Sequence, residues 1–267
     1  MDPSWPQSLH PAPPSCLMPD TAPPETNADD AREAKRAAGL AAAALVEDGM
    51  RLGLGTGSTT AFAIEAVGRR VRDEGLRVAG VPTSYAAERL AREHGVPLLT
   101  LDDLDLDTLP TAQAGLDLAL DGADEVSPAG DLIKGRGAAH VREKVVAALA
   151  ARFVVLIDPS KEVRHLGTSA PVPVEVLPMA EPAVARALRG LGAEPTLRMG
   201  RRKDGPVVSD QGLWVIDARF PDIDEPGALA TEIDAVPGVL GHGLFIGLAT
   251  DVLVGGAGGE VRHRVVG

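Results

Sequence analysis

The chain has 267 residues, 26 Lys and Arg against 38 Asp and Glu for a net charge of −12, and one cysteine. That length holds one large α/β domain or two smaller ones, while the acidic balance excludes a nucleic-acid or anionic-membrane surface, which needs a basic patch. A lone Cys excludes an internal disulfide framework and no apolar run reaches the ~18 residues of a membrane span, so a soluble, cytoplasmic protein is expected.

Residues 1–28 hold eight of the 22 prolines, Cys16 and no Lys or Arg. They lack the basic region of a signal peptide and read as an extended, disordered tail. Asp29 and Asp30 then open an Ala-rich helix, with Gly49 placed where a terminating glycine belongs. A short strand around Leu52–Leu54 precedes Gly-Thr-Gly-Ser-Thr-Thr and a helix through Arg72. RVAGVPTS reads as a strand, AAERLAREHG as a helix and VPLLTL as a further strand; an acidic turn-rich stretch (101–116) leads to the strand LDLALDGADEV. After LIKG come a helix, GAAHVREKVVAALAARF, and a fully apolar strand, FVVLID. Alternating strands and helices imply a parallel sheet covered on both faces, with ligands at the strands' carboxyl ends.

Beyond Pro171 the pattern becomes β-α-β-β-α-β, ending in VLGHGLFIG, and ATDVLVGG reads as a strand returning to the first sheet. The expected organisation is α/β: a Rossmann-like parallel-sheet domain (29–170 and 244–267) with a smaller ferredoxin-like α+β domain (171–243) inserted near the C-terminus.

Chemistry gathers in four clusters. In the first, Thr56-Gly57-Ser58-Thr59 follows a strand, where a sharp turn, a helix start and hydroxyls suit a phosphate. It lacks the Gly-Lys-[Ser/Thr] ending of a P-loop, and Ser58 replaces the last glycine of a dinucleotide fingerprint, which counts against an NAD(P) oxidoreductase. In the second, Asp121-Gly122-Ala123-Asp124-Glu125 crowds three carboxylates at a strand end, costly unless a cation, ligand or shared proton offsets them. In the third, Lys134-Gly135-Arg136-Gly137 leads into a helix expected to start at the glycines, putting Glu143 about 9 Å along its axis. His140 and Glu143 at i, i+3 could form a metal pair, but no further His–carboxylate pair supports one. In the fourth, Asp158-Pro-Ser-Lys161 places a cation past a strand end. Hydroxyls for a phosphate, carboxylates for proton transfer and lysines for an oxyanion describe metal-free proton abstraction beside a carbonyl.

GLGTGSTT, DGADEV, KGRGAAHVREK, DPSK, PVPVEVLPMA and PGVLGHGLF occur in the order and spacing of ribose-5-phosphate isomerase A, a family this chain resembles from Ala31 onward. The resemblance implies aldose–ketose isomerisation of D-ribose 5-phosphate and D-ribulose 5-phosphate through a cis-enediolate, in the non-oxidative pentose phosphate pathway. It implies no cofactor or metal, and a homodimer or dimer of dimers. By the same resemblance Glu143 is the general base, Asp121 and Asp124 hold hydroxyls and assist ring opening, and Lys134 stabilises the enediolate. Thr56 to Thr59 line the pocket, with Lys161 and Lys35 as further substrate cations. Arg136 and His140 depart from the family's usual glycine and apolar residue. A sugar-phosphate sensor on the same type of fold is the non-catalytic rival; it would carry a basic helix-turn-helix, which is missing before Arg32.

Overall fold

The computed structural model describes residues 28–108 and 115–266; the expected tail with Cys16 and part of the acidic stretch lie outside them. Helix α1 (Ala28–Ala44), strand β1 (Arg51–Leu54), helix α2 (Ser58–Glu74), strand β2 (Ala79–Pro82) and helix α3 (Tyr85–Glu93) come first. Strands β3 (Leu118–Gly122), β4 (Glu125–Val126) and β5 (Leu132–Ile133) precede helix α4 (His140–Ala148) and strand β6 (Phe153–Ile157). Then follow β7 (Val172–Val176), α5 (Glu181–Gly190), β8 (Glu194–Leu197), β9 (Trp214–Arg219), α6 (Pro226–Asp234) and β10 (Val239–His242). The chain closes with β11 (Leu244–Phe245), β12 (Asp251–Gly255) and β13 (Val261–Val265).

The main sheet has the order β13-β12-β6-β3-β1-β2; β2, β1, β3, β6 and β12 are parallel, and β13 runs antiparallel on the edge. Period-2 side-chain alternation divides its core. Leu52, Leu118, Leu120, Val154 and Leu156 pack under α1, α2 and α3. Ala119, Phe153, Val155, Ile157 and Val252 face α4 and Phe245. From β1 the chain moves outward to β2, whereas β3, β6 and β12 build in the other direction. The carboxyl ends of β1 and β3 therefore flank a topological switch point, where open α/β sheets bind their ligands.

A second, antiparallel sheet, β10-β7-β9-β8, carries α5 and α6 and gives the expected β-α-β-β-α-β unit its own core around Val174, Val184, Ile216 and Ile233. The alternating Val-rich pattern of β7 buries every residue, Glu175 included. Glu175 is tolerated because the Ser209 hydroxyl donates to its carboxylate.

Several elements differ from the sequence reading, each for a local reason. Helix α1 stops at Ala44, because Arg70 of α2 donates to the carbonyls of Ala43 (2.6 Å) and Val46 (2.8 Å) and closes the helix without a glycine. Gly49 belongs to the turn that follows. VPLLTL forms only a single bridge, Leu98 to Gly80, since Pro97 has no N–H to extend a ladder. LDLALDGADEV divides into β3 and β4, and VLGHGLFIG into β10 and β11; β4, β5 and β11 form a third, three-stranded sheet. Gly243 makes the step from β10 to β11. A Cβ there would lie 2.1 Å from the Lys134 carbonyl oxygen and 2.6 Å from Pro173. Its N–H donates to Pro173 O (2.7 Å) and its carbonyl accepts from Lys134 N (2.9 Å).

Candidate active site

At the switch point lies a cavity of about 340 Å³ lined by the loop after β1, the ends of β3 and β6, the segment between β5 and α4, and Lys35 of α1. Thr56, Gly57, Ser58, Thr59, Gly122, Ala123, Asp124, Lys134, Gly135, Arg136, Gly137, Glu143, Lys161 and Lys35 all line it, so the four sequence clusters converge. Asp121 stands behind that wall.

The loop after β1 is fixed from beneath. Asp121 Oδ1 accepts the backbone N–H groups of Thr56 (3.0 Å) and Gly122 (2.7 Å), tying the loop to the end of β3. The Thr56 hydroxyl donates to Ser84 Oγ (2.6 Å) and lies 2.8 Å from Thr83 Oγ1, while Ser84 caps α3 by accepting from Ala87 N (3.0 Å). Thr56 thus spends its hydroxyl on loop shape, leaving Ser58 and Thr59, at the start of α2, and backbone N–H groups for an anion.

The charged centre is buried. Lys134 Nζ lies 3.1 Å from both Asp121 Oδ2 and Glu143 Oε2, and donates to the carbonyl of Gly122. Burial opposes the Lys134 ammonium, but attraction from Asp121 and Glu143 prevails and raises its pKa above the ordinary lysine value. Burial, reinforced by repulsion from Asp121, pushes Glu143 up to about 8 against the pull of Lys134. Asp121 is raised as well, again chiefly by burial. Two crowded carboxylates and one ammonium hold a proton near neutral pH, which suits a group that must accept and return one.

Helix α4 starts at His140, three residues later than the glycines suggest. Gly135 (φ +109) and Ala138 (φ +59) form an irregular bend that brings Glu143, in the first helical turn, back over Lys134. Lys134 itself issues from β5 of the small antiparallel sheet, so the site is not built solely from the edge of the parallel sheet. Asp124 Oδ2 accepts from Arg136 N (3.0 Å) and holds that bend across the cavity mouth.

Glu125, the third carboxylate of its cluster, faces away from the cavity. It accepts from the N–H groups of Gly167, Ser169 and Ala170 and from Ser169 Oγ, anchoring the segment before β7. His140 is fully buried against Gly135 and does not line the cavity; burial and nearby Arg198 lower its pKa to about 3. Among the described residues no three His, Cys, Asp or Glu side chains are grouped to hold a metal ion, and no helix is long and apolar enough to cross a membrane. Thr60 and Asp158, members of the first and fourth clusters to which the sequence assigns no role, also line the cavity. Thr60 sits inside the quoted GTGSTT motif, and Asp158 caps the turn bearing Lys161 by accepting from Ser160 N (3.0 Å).

The family model for ribose 5-phosphate isomerase A (phosphoriboisomerase A) matches residues 79–259. Ribose-5-phosphate isomerase A of Thermosynechococcus vestitus is 53% identical over 229 residues, covering 85% of this chain and 93% of that one. The Haloarcula marismortui protein of the same name is 54% identical over 226 residues, with 85% and 93% covered. Among solved structures, ribose 5-phosphate isomerase A from Methanocaldococcus jannaschii superposes with a TM-score of 0.80 at 44% identity, covering 86% of this chain and 97% of that one. A D-ribose-5-phosphate isomerase in complex with phospho-erythronic acid gives a TM-score of 0.80 at 43% identity over the same shares. With its fold, motifs and buried Lys–carboxylate centre in place, the chain belongs to the ribose-5-phosphate isomerase A family.

Proposed function

We propose that Glu143 is the base with which this protein interconverts D-ribose 5-phosphate and D-ribulose 5-phosphate. The observation that carries the reading is the buried Lys134 ammonium held 3.1 Å from both Asp121 and Glu143 beside a hydroxyl-rich, glycine-turned loop. The phosphate sits at the start of α2, with Lys35 and Lys161 as surrounding cations. The open-chain aldose extends toward Lys134.

Glu143 takes the C2 proton and the C–H electron pair forms the C1–C2 double bond, leaving an enediolate. Lys134 exchanges one of its carboxylate partners for the substrate oxygen and offsets its charge in a site that excludes water. Asp124, which lines the cavity, handles the hydroxyl protons, including ring opening, while Asp121 acts from behind the wall through Lys134 Nζ, 3.1 Å away. Glu143 then returns its proton to C1 to give the ketose. A relative's ligand, phospho-erythronic acid, carries a carboxylate and a phosphate on one short polyol and so suits the same pairing of anion sites.

Residues 171–243 act in this reading as a distinct unit beside the catalytic domain of 29–170 and 244–267. Exposed Leu177, Met179 and Leu240 at one end of its sheet support a homodimer or dimer of dimers, assigned to the cytoplasm. Following the purified protein with ribose 5-phosphate in D₂O by proton NMR tests the reaction. Ribulose 5-phosphate carrying deuterium at C1 is expected, with deuterium entering C2 of the ribose 5-phosphate pool on the reverse reaction; absence of product would leave only sugar-phosphate binding.

A further inference from the structure

The segment Lys134–Gly137 belongs to neither strand nor helix, yet it presents the catalytic lysine and forms one wall of the cavity. Irregular backbone needs partners for its carbonyls: Gly135 O accepts the Ala138 N–H (3.0 Å) within the bend, and a further donor to it, together with one to Arg136 O, comes from the antiparallel unit. Arg198, just beyond β8, donates from Nη1 to Gly135 O (2.9 Å) and Arg136 O (3.1 Å). The same guanidinium grips Asp217 of β9 through Nε (2.9 Å) and Nη2 (2.5 Å). The Arg198 side chain is only 15% exposed, and its bonds to Gly135 O and Asp217 are partly buried. A planar fork with one edge fixed on a carboxylate can aim its remaining donors at two peptide carbonyls, which a lysine cannot do.

We infer that Arg198, held by Asp217, is a positioning residue for the isomerisation: it fixes the Gly135 and Arg136 carbonyls and thereby the placement of Lys134 against Glu143. Arg198 also lines a neighbouring cavity of about 700 Å³ with Arg136, Lys161 and Asp217, but its directed bonds go to the loop and to Asp217. The inference rests on Lys134 and Glu143 being the working pair. It goes beyond that reading by giving the antiparallel unit a part in the chemistry.

The experiment is steady-state kinetics with ribose 5-phosphate for Arg198→Ala, Asp217→Asn and the double variant, alongside competitive inhibition by inorganic phosphate. Misplacing reacting groups by about 1 Å costs on the order of 100-fold, so Arg198→Ala is expected to lose ~10- to 100-fold in kcat. The phosphate inhibition constant should stay within about twofold, because Ser58 and Thr59 hang on different supports. Asp217→Asn should show a smaller loss, and the double variant should be no worse than Arg198→Ala, since the two act through one contact. Added methylguanidinium should recover part of the kcat of Arg198→Ala. Should that variant fail to fold, Arg198→Lys and Asp217→Asn decide: kcat down with phosphate inhibition intact supports the inference. Folded variants with unchanged kcat, or a parallel loss of kcat and phosphate binding, overturn it. A wild-type protein without isomerase activity would instead overturn the underlying assignment of the site, and the positioning role with it.

Discussion

Burial, rather than any peculiarity of the side chain, sets the proton affinity of Glu143, the proposed base. Its raised pKa leaves it largely protonated at neutral pH, so kcat/KM for ribose 5-phosphate should climb as pH rises and level off above about 8. A pH–rate profile checks this, and Glu143→Gln should abolish the limb. The same substitution is expected to lower kcat by ~10³-fold or more while inorganic phosphate still inhibits, since the proposed anion site is at the start of α2. Lys134→Met is a different kind of lesion. It leaves Asp121 and Glu143 buried without their cation, a situation worth about 3–5 kcal/mol against the fold, and chemical denaturation should read that loss at pH 9. At pH 6 the loss should shrink, because protonating one carboxylate relieves the repulsion.

Elements long enough to show a period were legible in the sequence: α1 to α6, the apolar β3 and β6, and the β-α-β-β-α-β order with its return strand β12. So were most residues of the cavity, because each cluster follows a strand or opens a helix; Lys35, in the middle of α1, comes only from the family resemblance. Two-residue strands such as β4, β5 and β11 carry no period, and they move Lys134 off the main sheet. The edge strand β13, with sequence VRHRV, is largely polar because only one of its flanks pairs, and it went unread. The start of α4 was misplaced because glycines ordinarily open a turn, whereas here the bend runs on through Ala138 at positive φ. Arg198 and Asp217 could not be joined to the site by any local pattern, since 62 residues separate Arg198 from Arg136. The bend makes its own prediction. Gly135→Ala would force a side chain at φ +109 and place a Cβ 2.8 Å from the His140 ring, so kcat should fall by at least 10-fold with a stability loss of about 1–3 kcal/mol.

For the molecule as a whole, buried titratable groups frame the pH range of stability. His140 and His242 have folded pKa values of about 3 and about 4, lowered chiefly by burial. The unfolded chain binds protons there first, so stability is full above about pH 6.5 and is lost as pH falls toward 4. Glu143 works in the opposite sense: its folded value of about 8 lies above the unfolded one, so its contribution is present at low pH and lost as pH rises through 8. Denaturant midpoints measured from pH 4 to 9 should show a maximum in between. Glu143→Gln should flatten the alkaline side.

Gly243 sets a limit on how this architecture can be rearranged. The antiparallel unit enters and leaves the chain like a cassette, yet its exit peptide is hydrogen-bonded at once to Pro173 and to the backbone of Lys134, with no room for a side chain. Excising the unit and sealing the gap with a linker would leave the Lys134 amide without its acceptor. Homologous units from relatives should therefore graft successfully only when this junction travels with them.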